Sequence, residues 1–90
     1  MLALGLGSAA QRFLRKLPPK HFYQVDRKVT ALRADPFPQD SKVLKGYPYH
    51  RADVGEYRII YKIIGSVLHV PIIGKRNDDE VYRKLKHMFG

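Results

Sequence analysis

Ninety residues allow one domain, residues 1–90, with a small core and a modest stability unless a partner adds to it. Seventeen Lys and Arg against eight Asp and Glu give a formal net charge of +9, which favours polyanions through counterion release; nucleic acid is the first partner class to consider and an acidic protein the other. The chain has no cysteine, which excludes disulfides, thiolate metal sites and a cysteine nucleophile and fits a reducing cytoplasm.

The apolar start, Met1 to Gly7, lacks a basic flank and a long apolar run, so it reads as an opening strand and not as a signal peptide. No segment approaches a membrane span. Ser8 with Gln11 three residues on has the spacing of a capping box, and Ala9, Ala10, Phe13, Leu14 and Leu17 share one stripe, which predicts a helix over Ser8 to Leu17. Pro18-Pro19 breaks it, and the second proline suits the first turn of a new helix because its missing N–H would be unpaired there. Phe22, Val25, Val29 and Leu32 carry that second helix to Asp35-Pro36, so a helical hairpin is expected. Residues 35–48, with three prolines and a glycine, have no period and read as a loop.

Three β-rich runs follow, Tyr49 to Val54, Tyr57 to Ile64 and Val67 to Ile73, joined by turns at Gly55-Glu56 and Gly65-Ser66. With the N-terminal strand they make a four-stranded, mainly antiparallel sheet. Asn77 with Glu80 again has capping-box spacing, and Val81, Leu85 and Met88 share a stripe, which predicts a short C-terminal helix over Asp78 to Met88. The expected fold class is α+β: an N-terminal strand and a helical hairpin packed on the sheet, then the short terminal helix.

Alternation puts Tyr57, Ile59, Tyr61 and Ile63 on the face under the helices and Arg58, Ile60, Lys62 and Ile64 on the other. Two-residue turns would set Asp53 opposite Arg58, Arg51 opposite Ile60 and His69 opposite Lys62. The open face then carries Tyr49, Arg51, Asp53, Arg58, Lys62 and His69, with Lys75 and Arg76 following the last strand. Such a face suits single-stranded RNA, arginines holding phosphates and rings stacking on bases; its plain alternative is a solvated sheet surface. His21, His50, His69 and His87 lack metal-ligand spacing, and only His69 is placed to assist proton transfer.

Three pieces occur in order: Asp40-Ser41-Lys42-Val43-Leu44-Lys45-Gly46, then Gly55-Glu56-Tyr57-Arg58-Ile59-Ile60-Tyr61, then Gly74-Lys75-Arg76-Asn77-Asp78-Asp79-Glu80-Val81-Tyr82. Together they resemble the signature of RelE toxins, ribosome-dependent endoribonucleases of the RelE/ParE superfamily, over about Ser8 to His87. The resemblance implies a cytoplasmic type II toxin that cuts mRNA in the ribosomal A site by 2′-hydroxyl attack, without metal or cofactor, and is silenced by a RelB-type antitoxin. Arg58 and Arg76 match the two arginines assigned to phosphate and transition-state contacts. Tyr82 matches the tyrosine credited with positioning the base, and with proton transfer if cationic neighbours lower its ordinary value of ~10; without the resemblance it reads as a packing residue.

Arg51 matches the first of two basic residues in the preceding strand, and Asp53 stands where the second is expected. That carboxylate is open to three roles: a cross-strand ion pair with Arg58, an orienting group for it, or a general base. Lys42, Lys45, Lys62 and Lys75 complete the expected RNA-binding set. Two alternatives remain: a ParE-like toxin that binds and inhibits DNA gyrase, which the combined Gly-Lys-Arg and Val-Tyr ending speaks against, and an inactive RNA-binding or regulatory homologue, which Asp53 keeps open.

Overall fold

The computed structural model describes residues 1–77 and 79–89, in the order β1 (Ala3–Leu6), α1 (Ser8–Arg15), α2 (Pro19–Ala34), β2 (Ser41–Val43), β3 (His50–Val54), β4 (Tyr57–Ile64), β5 (Val67–Lys75) and α3 (Glu80–Phe89). One sheet in the order β1-β5-β4-β3-β2 is antiparallel except where β1 runs parallel to β5. The α+β fold is as expected, with five strands in place of four. The added strand is Ser41–Val43, inside the expected loop; three residues between Pro38 and Gly46 give no readable alternation, and their pairing comes from β3 alone.

Two apolar clusters sandwich the sheet. Ala10, Leu14, Val25, Val29 and Leu32 of the helical hairpin bury Ala52, Tyr57, Ile59, Tyr61, Leu68, Val70 and Ile73 on one face. On the other, Val81 and Leu85 of α3 close over Leu44, Tyr49, Ile60 and Ile72. The central strand β4 therefore feeds both cores, which is why its run is apolar nearly throughout. In β5 the register shifts between the pairs Ile60↔Ile72 and Lys62↔His69. Pro71, which has no N–H to give a ladder, sits in that shift, and the bulge lets Val70 and Ile73 face the same core although three residues apart.

The helix ends differ in detail from expectation. Pro19 opens α2 as expected, but α1 is capped by Gly7 without a side-chain hydrogen bond. The Gly7 N–H is already engaged with the Val70 carbonyl at 2.9 Å, so β1 turns into helix one residue early, and Gln11 Nε2 donates to the Leu6 carbonyl at 2.9 Å. The Ser8–Gln11 capping box is thus not formed. Met88, expected on the buried stripe of α3, is 53% exposed: the second core takes Val81 and Leu85 and does not extend to the last turn of the helix. The expected helix start at Asp78 lies outside the described residues.

Candidate active site

The hairpin of β3 and β4 turns through Gly55-Glu56, with Gly55 at φ 56°, and this two-residue loop sets Asp53 directly opposite Arg58. The guanidinium of Arg58 is held from two sides. Its Nε and Nη2 donate to Asp53 Oδ1 and Oδ2 at 2.8 and 3.1 Å, and its Nη1 donates to the hydroxyl of Tyr82 at 3.0 Å. The guanidinium carbon also lies 5.8 Å from the Tyr82 ring centroid. Tyr82 reaches this point because α3 packs Val81 and Leu85 into the second core, leaving the intervening tyrosine at its rim.

Two further arginines converge on the same carboxylate. Arg51 Nη1 is 3.8 Å and Arg76 Nη1 is 4.0 Å from Asp53 Oδ2. Arg51 lies two residues before Asp53 on one face of β3, and Arg76 is placed by its N–H donating to the Glu56 carbonyl at 3.0 Å, at the same end of the sheet. Hydrogen bonds from Arg58, aided by the charges of Arg58, Arg51 and Arg76, outweigh partial burial and hold the Asp53 carboxyl below the ordinary carboxylate range; the same pair raises Arg58. Three cations and one anion leave a formal +2 on this part of the sheet surface. Such forks match the oxygens of a phosphoryl group. Tyr82 accepts from Arg58, which leaves its own O–H proton to donate to a ligand.

The expected catalytic set Arg51, Arg58, Arg76 and Tyr82 thus comes together around Asp53. Sequence reasoning paired Asp53 with Arg58 alone; the readable sign of more was the i, i+2 spacing of Arg51 and Asp53, whereas the approach of Arg76 depends on the turn after β5. The lysines are dispersed. Lys42 pairs with Arg51 across β2 and β3 and extends the cationic row to the sheet edge, and Lys45 is exposed just beyond. Lys62 lies with its ammonium 4.9 Å from the ring centroid of Tyr49. Tyr49 itself is only 5% exposed, so the stacking surface expected of it is covered. Lys75 pairs with Tyr57 and so turns to the helical face, where it lines a cavity of about 430 Å³ with Arg12, Phe13 and Lys84; it is not a neighbour of the arginine cluster. His69 lies beside the Tyr49 ring, 6.4 Å between centroids. Among the described residues no three His, Cys, Asp or Glu side chains are grouped to hold a metal ion, and no helix is long and apolar enough to cross a membrane.

No protein-family model matches the chain, and no curated protein matches it. Solved structures do. A free E. coli RelE toxin with two arginines replaced by alanine is 26% identical, with 97% of each chain covered and a TM-score of 0.79. A RelBE toxin–antitoxin complex from Mycobacterium tuberculosis is 24% identical over 83% of this chain and 98% of the other, at a TM-score of 0.73. The archaeal RelE–RelB complex from Pyrococcus horikoshii is 22% identical over 86% and 97%, at 0.74. By these matches the fold of this chain is that of the RelE toxins.

Proposed function

We propose that this protein is the toxin of a type II toxin–antitoxin pair and that it cuts mRNA on the ribosome. The observation that carries this reading is the 3.0 Å hydrogen bond from Arg58 to Tyr82, which joins two residues of the RelE-like motif from separate elements beside Arg76. Cleavage by 2′-hydroxyl attack forms a bond from the 2′-oxygen to phosphorus, breaks the bond from phosphorus to the 5′-oxygen, and leaves a cyclic phosphate and a 5′-hydroxyl. The negative charge peaks on the pentavalent phosphorus, so fixed cations aimed at it lower the barrier most. Arg76, the most exposed of the three arginines, and Arg58 supply that charge. The Tyr82 hydroxyl orients the nucleotide or moves a proton.

Structures of this fold that hold RelE with RelB support an antitoxin partner whose acidic and apolar segments cover the basic surface. The test is to induce the protein with and without its neighbouring gene product and to map mRNA 5′ ends on ribosomes. New ends are expected only without the antitoxin. Arg76→Ala and Arg58→Ala should each slow cleavage about a hundredfold, about 3 kcal/mol, the cost of losing one oxyanion donor. Tyr82→Phe keeps the ring and loses the hydroxyl, so a small loss assigns it base positioning and a large one assigns the hydroxyl a role, as proton carrier or as the group that holds Arg58, which a changed pH profile separates. Growth arrest with intact mRNA and inhibited gyrase would replace the ribonuclease reading by the ParE one. Arg76→Ala cutting at the wild-type rate would remove the catalytic assignment.

A further inference from the structure

Phosphate binding does not require a carboxylate in the middle of the arginines, yet Asp53 occupies that place. Its two oxygens take the Nε–Nη2 edge of Arg58, the edge that matches two oxygens of a phosphoryl group, at 2.8 and 3.1 Å. The remaining nitrogen, Nη1, donates to the Tyr82 hydroxyl at 3.0 Å. Arg51 and Arg76 face Asp53 Oδ2 from 3.8 and 4.0 Å, longer than a direct hydrogen bond, so they are drawn to the charge without being bonded to it. An anion in the centre of three arginines, bonded bidentately to one and attracting the other two, is the arrangement a bound phosphate would have.

We propose that Asp53 is an internal stand-in for the ligand's phosphoryl group, a latch that a phosphate must displace from Arg58 before the three arginines can close on it. The proposal deepens the ribonuclease reading and rests on it for the identity of the ligand, but the anion site can be tested apart from any cleavage. With the latch in place the resting site carries +2, and phosphate groups met at random compete poorly for it. A phosphate presented in register by a larger assembly gains enough from the remaining contacts to exchange with the carboxylate. Binding energy from remote parts of a substrate then opens the site, which restricts reaction to the substrate that supplies it.

The latch and the orienting role predict opposite signs. If Asp53 competes with the ligand, Asp53→Asn removes a charge from the ligand's own place, and affinity rises; if Asp53 serves to hold Arg58 in position, the same change loosens Arg58 and affinity falls. The full chain and its Asp53→Asn variant are titrated with inorganic phosphate and with an uncleavable 2′-O-methyl RNA trinucleotide, each by calorimetry and NMR. The variant is expected to bind both about tenfold more tightly, as removal of a like charge at this distance and partial exposure implies. Unchanged or weaker binding of phosphate overturns the latch, as does tightening for the trinucleotide alone, since the phosphoryl group is the chemistry shared by both probes. The wild type gives a second measurement that does not depend on the variant folding. The ¹³Cγ resonance of Asp53 and the Nε–H of Arg58 must shift together on saturation with phosphate, and a carboxylate signal that stays in place also overturns the proposal. A phosphate site that tightens in a chain that cuts no mRNA would uphold the latch and sink the ribonuclease reading.

Discussion

Arg58 gives one edge to a carboxylate and another to a phenol, and that geometry makes its position dependent on the ionisation of Asp53. The fold keeps Asp53 ionised below the pH at which the unfolded chain would protonate it. Its contribution to stability is therefore fully present above roughly pH 4 and is lost as pH falls through the depressed folded value. Asp53→Asn should cost about 1 kcal/mol at neutral pH, the range of a partly exposed pair, and should flatten the acid limb of stability against pH. Urea denaturation at stepped pH checks this: the two curves converge at the acid end. An acid limb as steep in the variant would assign the effect to other carboxylates, such as Asp40, which Lys28 holds below its ordinary value by a 2.6 Å hydrogen bond. The Asp53–Arg58 facing was legible in the sequence because a two-residue turn fixes register. The convergence of Arg51 and Arg76 was not, because it depends on side-chain reach across β3 and on the path after β5, neither of which alternation encodes.

Among the elements, α3 decides whether Tyr82 meets Arg58, and Gly74 decides how closely α3 sits. A Cβ on Gly74 would lie 2.9 Å from Val81 Cγ1, closer than packed atoms allow. The glycine of the Gly-Lys-Arg piece is thus a contact requirement between β5 and α3. Gly74→Ala should destabilise by about 1–3 kcal/mol through overpacking and should lift α3 from the sheet. The expected readout is a lower urea midpoint together with loss of the Arg58 Nη signal characteristic of its bond to Tyr82. A variant as stable as wild type with that bond intact would show that α3 is held elsewhere. Both helices of the hairpin, four of the five strands and both strand faces were legible, the helices and the three longer strands because each spans several periods of its pattern and β1 because a short apolar run precedes the first helix. The strand Ser41–Val43 was too short to show one, and Val43 at 71% exposure carries no buried signal. The cap at Gly7 was hidden because a strand hydrogen bond, not a side chain, sets it.

At the scale of the whole molecule, the formal charge of +9 is spread over both faces of the sheet. Arg51, Lys42 and Lys62 belong to the face of the arginine cluster, whereas Arg12 and Lys75 line the cavity under α1. RNA binding should weaken steeply with salt, and replacing Arg51 or Lys62 by alanine should reduce the log–log slope by about 1 each. Filter binding across a salt series measures it. A slope that falls equally for Lys75→Ala would mean that the RNA wraps the end of the sheet and touches both faces; a flat salt response would remove the footprint altogether.

The parallel pairing of β1 with β5 has a consequence in time. Ala3 to Leu6 find their partners at Val67 to Val70, and among the described residues no other strand borders them. A chain emerging from the peptide tunnel can form the hairpin of β3 and β4 early, but its first strand waits for nearly the last, and Arg58 waits longer still for Tyr82. Synthesis at about 5–20 residues per second makes this a delay of seconds, during which the nascent chain holds neither a closed sheet nor a gathered set of arginines. A protein that attacks ribosomes, as proposed for this one, would then be harmless to the ribosome making it until the segment that carries Tyr82 has emerged.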